Sequence, residues 1–138
     1  MTYLVDVNVI CEPGKLRPNE HVQKWLDENE SVSAVDPMVM GEIWRGILML
    51  PPGRKRDGLM AWFDRLRQNI PCTVWTMDTA LAWAEICDHI QRSGFTISAP
   101  DTMIAATAKL HGLTVATRNV DDFRRCGVPV VNPFEREP

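Results

Sequence analysis

The sequence predicts an α/β protein built as three layers, with helices on both sides of a mostly parallel sheet. The first observation is a set of short, Val-rich apolar runs: "TYLVD" near the start, "VSAV" at 32–35 and "TVAT" at 114–117. Runs of this kind are expected of strands covered on both faces. The second is that segments with helical spacing lie between them, and alternation of strand and helix implies crossover connections and parallel pairing. In such sheets the carboxyl ends of the strands form the crevice where ligands bind. A chain of 138 residues, 45% of them hydrophobic, supports one core and divides poorly into two, so a single domain over 1–138 is expected.

Each element has a local reason. After the first strand, "NEHVQKWLDENE" sets Val22, Trp25 and Leu26 on one stripe among polar residues, an amphipathic helix. Asp36-Pro37 supplies an N-cap and a first-turn proline for a helix running to about Leu50, where "LPPG" stops it. Beyond the basic run Arg54-Lys55-Arg56, "LMAWFDRLRQNI" reads as a helix and "CTVW" as a short strand. "TALAWAEICDHIQRSG" is helical and closes at Gly94. "SAPDTMIAATAKLHG" opens with Ser98-x-x-Asp101, a pattern like a capping box, and ends at His111-Gly112. "VPVVNP" is a last strand.

Composition narrows the function classes. A net charge of -3 and a pI near 5.6 exclude bulk electrostatic coating of nucleic acid, while leaving room for a local basic strip. The four cysteines (Cys11, Cys72, Cys87, Cys126) are scattered without a C-x-x-C pair, and His21, His89 and His111 share no ligand spacing. Neither a zinc cluster nor a redox motif is suggested. No apolar run approaches the ~20 residues of a membrane span and no signal-type start is visible, so a cytoplasmic protein with reduced thiols is expected.

Four acids stand out. Asp6 ends the first strand, and Asn119 and Asp122 follow "TVAT", so both segments reach the same carboxyl-end edge. Asp6 fits turn capping or membership of a charged site; Asp122 and Asp101 fit first-turn acids favoured by the helix dipole, or the same site. Glu42 lies past the first turn of the helix capped by Asp36, among Met38, Met40, Ile43 and Ile47. An ionised carboxylate there costs several kcal/mol unless compensated, by Arg45 on the next turn or by a bound metal, or unless it is solvated. Four carboxylates brought to one edge repel one another and raise each other's pKa, and a hard divalent cation relieves this. Mg²⁺ or Mn²⁺ suits an all-oxygen set; zinc would want His or Cys.

The segments "LVDVNV", "GEIWRG", "PDTMIAATAKLHGLTVATRNVDDF" and "VPVVNPF" together resemble the PIN-domain nucleases, in particular the VapC-type toxins of bacterial toxin–antitoxin pairs. The resemblance spans the whole chain and rests on the ordered set Asp, Glu, Asp, Asn-x-x-Asp-Phe. It implies a PIN-like fold in which Asp6, Glu42, Asp101 and Asp122 bind metal and serve catalysis, supported by hydrogen bonds from Asn8, Thr117 and Asn119. It further implies a Mg²⁺- or Mn²⁺-dependent endoribonuclease leaving a 5′-phosphate and a 3′-hydroxyl, a homodimer, and a cognate VapB-type antitoxin whose tail covers the active site. Val7 departs from the family, which usually has Thr or Ser there, and Asp121 adjoins Asp122, so the last acid is ambiguous between them and position 119.

Because the site is acidic, contacts to an RNA backbone must come from elsewhere: Arg45, Arg118 and the 54–56 run are the candidates. In "WRGILMLPPG", Trp44, Ile47, Leu48 and Leu50 offer more apolar surface than one helix face buries, which suits core packing or a groove for a partner. Other classes fit less well. A phospho-receiver domain wants paired acids after the first strand and a late lysine, where this chain has one acid and Arg118. A haloacid-dehalogenase-type phosphotransferase wants D-x-D, where this chain has Asp6-Val7-Asn8. A PIN-like scaffold that binds without cutting is the third alternative.

Overall fold

The computed structural model describes residues 1–135, so the last three positions of the expected 1–138 domain lie outside the described residues. Four strands form one sheet: β1 (Tyr3–Val5), β2 (Ser33–Ala34), β3 (Thr114–Ala116) and β4 (Val130–Val131), in the order β2-β1-β3-β4. Every pairing is parallel, with Leu4 opposite Ala34 on one side and Val115 on the other. Successive strand residues face opposite ways. Leu4 and Val5 are both buried, as are Val115 and Ala116, so the sheet is covered on both faces as expected of a three-layer architecture.

Among the described residues seven α-helices supply the cover: α1 (Val7–Ile10), α2 (Glu20–Asn29), α3 (Pro37–Leu48), α4 (Arg54–Asn69), α5 (Met77–Arg92), α6 (Ala99–His111) and α7 (Val120–Arg125). α6 is the central one. Its Ile104, Ala105, Ala106 and Ala108 are fully buried, and small side chains let the sheet and α5 approach closely. Trp83 of α5 donates its indole N–H to Thr102 of α6 at 3.1 Å. Gly112 ends α6 with φ 65°, a left-handed cap that only glycine adopts cheaply, and β3 starts two residues later.

The order of strands places the site. From β1 the chain adds β2 on one side and then returns to add β3 on the other, so the crevice between the carboxyl ends of β1 and β3 is a topological switch point. The backbone N–H of Asp6 extends the ladder to the carbonyl of Ala116 at 2.9 Å. Asp6 and Thr117 therefore leave the sheet side by side.

Two expectations change, the start of α4 and the strand "CTVW". Asp6 ends β1 as expected, and the residues after it form α1, because the Asp6 carboxylate accepts the Val7 N–H at 2.8 Å and caps a helical turn. α4 starts at Arg54, so the basic run is its first turn; Gly53 precedes it and Asp57 complements the dipole there. "CTVW" is not a strand. It makes one bridge, Val35 to Cys72, and then runs out with Val74 largely exposed. Trp44 and Ile47 of the apolar segment are spent on packing, Ile47 buried and Trp44 stacked on Phe63 at 5.1 Å, which leaves Leu48 and Met49 as the exposed part.

Asp36 shows why the helices dock where they do. It is fully buried at the carboxyl end of β2, caps α3 through the Met38 N–H, and also accepts the Trp75 indole N–H and the Thr107 hydroxyl. Asp36→Ala would strand these donors in the interior, a loss of about 3 kcal/mol or more. Thermal melting should show a fall of about 10 °C; a change within one degree would refute this account.

Candidate functional site

The site grows from Asp6. Its Oδ2 accepts the Thr117 hydroxyl at 2.7 Å and the Asn8 amide at 3.1 Å, while Oδ1 is used by the Val7 N–H. Asn8 lies on the turn that Asp6 caps, so its amide returns to the same carboxylate, and its Oδ1 accepts the backbone N–H of Arg118 at 2.9 Å. Thr117 Oγ1 in turn accepts the backbone N–H of Asn119 at 3.0 Å. The Asn119 amide nitrogen then donates to both Asp101 Oδ2 and Asp122 Oδ2, each at 3.0 Å. One continuous chain of hydrogen bonds thus joins residues from β1, α6, β3 and α7.

Helix starts position the outer acids. Ser98 caps α6 through the Asp101 N–H, and Asp101 stands in the first turn. Asp122 occupies the first turn of α7, three residues beyond Asn119. Neither needs a ligand to tolerate negative charge. Both nevertheless turn a carboxylate oxygen to the same amide.

Glu42 reaches this set from α3. Its Oε1 is buried without a hydrogen-bond partner. Burial, with the charges of Asp6 and Asp101 adding to it, pushes its pKa up to about 7. Asp6 is raised by burial, against the donors Thr117, Val7 N–H and Asn8. Asp101 is raised by burial and then by the charge of Asp6, with Ser98 and Asn119 opposing. The acids sense one another, as expected for carboxylates drawn to one edge. Arg45, proposed as compensation for Glu42, is exposed and makes no ion pair with it among the described residues.

In kind, these donors suit a hard divalent ion, although their spacing as it stands does not form a cage. The set is all oxygen, and it includes a buried carboxylate oxygen left unpartnered and charges that only an added cation or proton relieves. The acids are linked by Asn119 and Thr117 rather than drawn together, and no group of three or more His, Cys, Asp or Glu among the described residues is arranged to hold an ion.

Two features escaped the sequence reading. Arg125 pairs with Asp122 at 3.5 Å while its guanidinium lies 4.2 Å from the centre of the Phe95 ring; its i, i+3 spacing from Asp122 on α7 was the available signal. Glu12 is buried, pairs with Lys15 at 2.9 Å and accepts the Asn19 N–H at 3.1 Å, fastening the turn after α1 to the start of α2. The hydrogen bond from Lys15 leads in holding its carboxyl below the usual range, and the charge of Arg118 contributes. Arg118 itself is exposed, with its guanidinium 3.6 Å from the centre of the Phe134 ring. Arg54-Lys55-Arg56 is on α4, and among the described residues it makes no ion pair with the acids.

An all-parallel α/β domain with oxygen-rich acids at its switch point matches the family model of the PIN domain over residues 3–128, and the chain belongs to that family. Among curated relatives, Toxin FitB of Neisseria gonorrhoeae is 38% identical, covering 95% of this chain and 97% of its own length. VapC ribonuclease Y4jK of Sinorhizobium fredii is 30% identical, with 96% and 97% covered. The solved structure of FitAB bound to an IR36 DNA fragment superposes with a TM-score of 0.89 at 32% identity, covering 99% of each chain.

Protonation of Glu42 gives a pH test. The folded protein favours its neutral form, and unfolding returns the group to its ordinary 4.5, so this contribution to stability is complete below that value and is lost as pH rises through about 7. With chelator present, the melting temperature should decline across that window in the wild type and decline less in Glu42→Gln. Parallel profiles for the two proteins would contradict the assignment.

Proposed function

We propose that the chain is the endoribonuclease toxin of a toxin–antitoxin module, hydrolysing RNA phosphodiester bonds at the site built on Asp6, Glu42, Asp101 and Asp122. The observation that carries this reading is the unpartnered, buried Oε1 of Glu42, whose carboxyl feels the charges of Asp6 and Asp101 in the hydrogen-bonded chain of acids at the β1/β3 switch point. Membership of the PIN family and likeness to proteins named toxin and ribonuclease support it. Asp6, Glu42, Asp101 and Asp122 would hold Mg²⁺ or Mn²⁺. Bound there, the ion supplies Lewis-acid activation of the attacking water and offsets charge on the scissile phosphate.

The chain's own residues do the positioning. Thr117 and Asn8 fix the rotamer of Asp6 by donating to one of its oxygens, and Asn119 sets Asp101 and Asp122 relative to each other. Among the described residues Asn119 bonds Asp122 and not Asp121, which adjoins it in the same first turn, and the reading keeps Asp122 as the last acid. Because three separate segments converge through neutral donors, small displacements of any one carboxylate are costly to rate.

A cognate antitoxin is part of the same reading, supported by the likeness to FitAB. An apolar groove of about 430 Å³, lined by Ile10, Pro13, Leu26, Trp62 and Leu66 among others, offers it a seat between α2 and α4. Val74 just before α5, with Met77 and Leu81 on its first turns, all exposed, supply the apolar face for a homodimer. No helix among the described residues is long and apolar enough to cross a membrane, and the reading places the protein in the cytoplasm.

The test is incubation of the purified chain with a mixed RNA pool in Mn²⁺ or in chelator. Cleavage should require the ion and yield 5′-phosphate ends, and Asp6→Asn or Asp101→Asn should remain folded while losing about 100-fold or more in rate. Undiminished cutting by both variants would end the reading. A sedimentation experiment at micromolar concentration should give a dimer, and a monomer there would remove the α5 face from it.

A further inference from the structure

Two arginines at the rim of the acid site share an arrangement that surface arginines usually lack. Arg118 lies over Phe134 at 3.6 Å, and Arg125 lies over Phe95 at 4.2 Å. The rings come from different places, Phe134 just after β4 and Phe95 in the loop between α5 and α6. Both residues join the hydrogen-bonded acid chain, Arg118 through its backbone N–H to Asn8 and Arg125 through its guanidinium to Asp122. We propose that Arg118 on Phe134 and Arg125 on Phe95 are two preset phosphate-binding arms that hold single-stranded RNA across the acids, with Phe95 and Phe134 as their positioning residues. This rests on the nuclease reading and adds to it Arg125 and the two rings.

The geometry supports it through the shape of the guanidinium. Stacking uses its face, while its hydrogen-bond donors lie along its edge. An arginine stacked on a ring is therefore held in place without losing its donors. Arg125 spends one of them on a contact of 3.5 Å to Asp122, and its side chain remains 41% exposed. Phe95 is itself 45% exposed, too open for a core role, so its packing value alone does not account for a large aromatic there.

Charge selects the occupant. The chain carries net -3, and the acids at its crevice repel a polyanion unless fixed cations stand beside them. Two cations, ordered before binding, spare the entropy of immobilising long side chains when the backbone arrives. A flexible single strand can bring successive phosphates to two separate arms, and aromatic surfaces beside a basic rim are the usual platform for unstacked bases.

The experiment measures binding of a labelled single-stranded RNA oligonucleotide by anisotropy in Mg²⁺, in the Asp101→Asn background, over a range of KCl concentrations. Phe95→Leu and Phe134→Leu should each weaken binding about three-fold, with Tyr at either position restoring it. Arg125→Gln should weaken binding about ten-fold and lower the salt slope by about one. In the cleaving background, Phe95→Leu should raise KM and leave kcat unchanged. Binding and salt slope unaffected in all these variants would overturn the arms while leaving the nuclease intact. Leu variants that lose antitoxin binding but keep RNA binding would also overturn them, by assigning the rings to the protein partner. Undiminished cleavage by both Asp6→Asn and Asp101→Asn would instead overturn the site on which the nuclease reading is built.

Discussion

The hydrogen bond from Thr117 to Asp6, 2.7 Å long and fully enclosed, is the contact on which the rest of the site depends. It exists because β1 and β3 are neighbours in a parallel sheet and end at the same level, so the first residue past each strand meets the other. Everything further out is referred to it. Thr117 orients Asn119, Asn119 collects Asp101 and Asp122, and Asn8 returns from the turn that Asp6 itself caps. A single hydroxyl thereby links sheet register to the placement of acids on two helices.

Such an arrangement holds together against its own electrostatics. Burial raises Asp6, Glu42 and Asp101, and their proximity adds to this for Glu42 and Asp101. Neutral donors from Asn and Thr soften the repulsion because they supply partial positive charge without a full countercharge that would compete with a cation for the oxygens. Glu42 receives no such donor on its buried oxygen, which makes it the least satisfied member of the set. Unsatisfied polar groups in folded proteins concentrate where function requires them.

Much of this was legible in the sequence because it was local or patterned. Asp36-Pro37, Ser98 and Gly112 announced the ends of α3 and α6, and the Val-rich runs announced three of the strands. The meeting of Asp6 with the segment after β3 followed from parallel topology alone. The turn at α1 was hidden because Val7 and Val9 favour strands, and the capping carboxylate overrides that preference. "CTVW" had strand composition but lies at the margin of the sheet with a single bridge to hold it. The burial of Glu12 and the stacking of Arg118 and Arg125 depend on contacts between distant segments, which no local pattern encodes.

Asp36 and Asp6 occupy equivalent places, each just beyond a strand at the same edge, and each caps the helix that follows. Asp36 has both oxygens engaged by the protein's own donors, from three segments of the chain, and touches no solvent. Asp6 also has three donors spread over both oxygens, but it sits at the crevice beside Glu42 and Asp101, whose carboxyls feel its charge. A survey of this fold that scored acids by position alone would pool the two. What separates an anchor from a tool, at equal topology and with equal numbers of donors, is whether further carboxylates crowd the same ground.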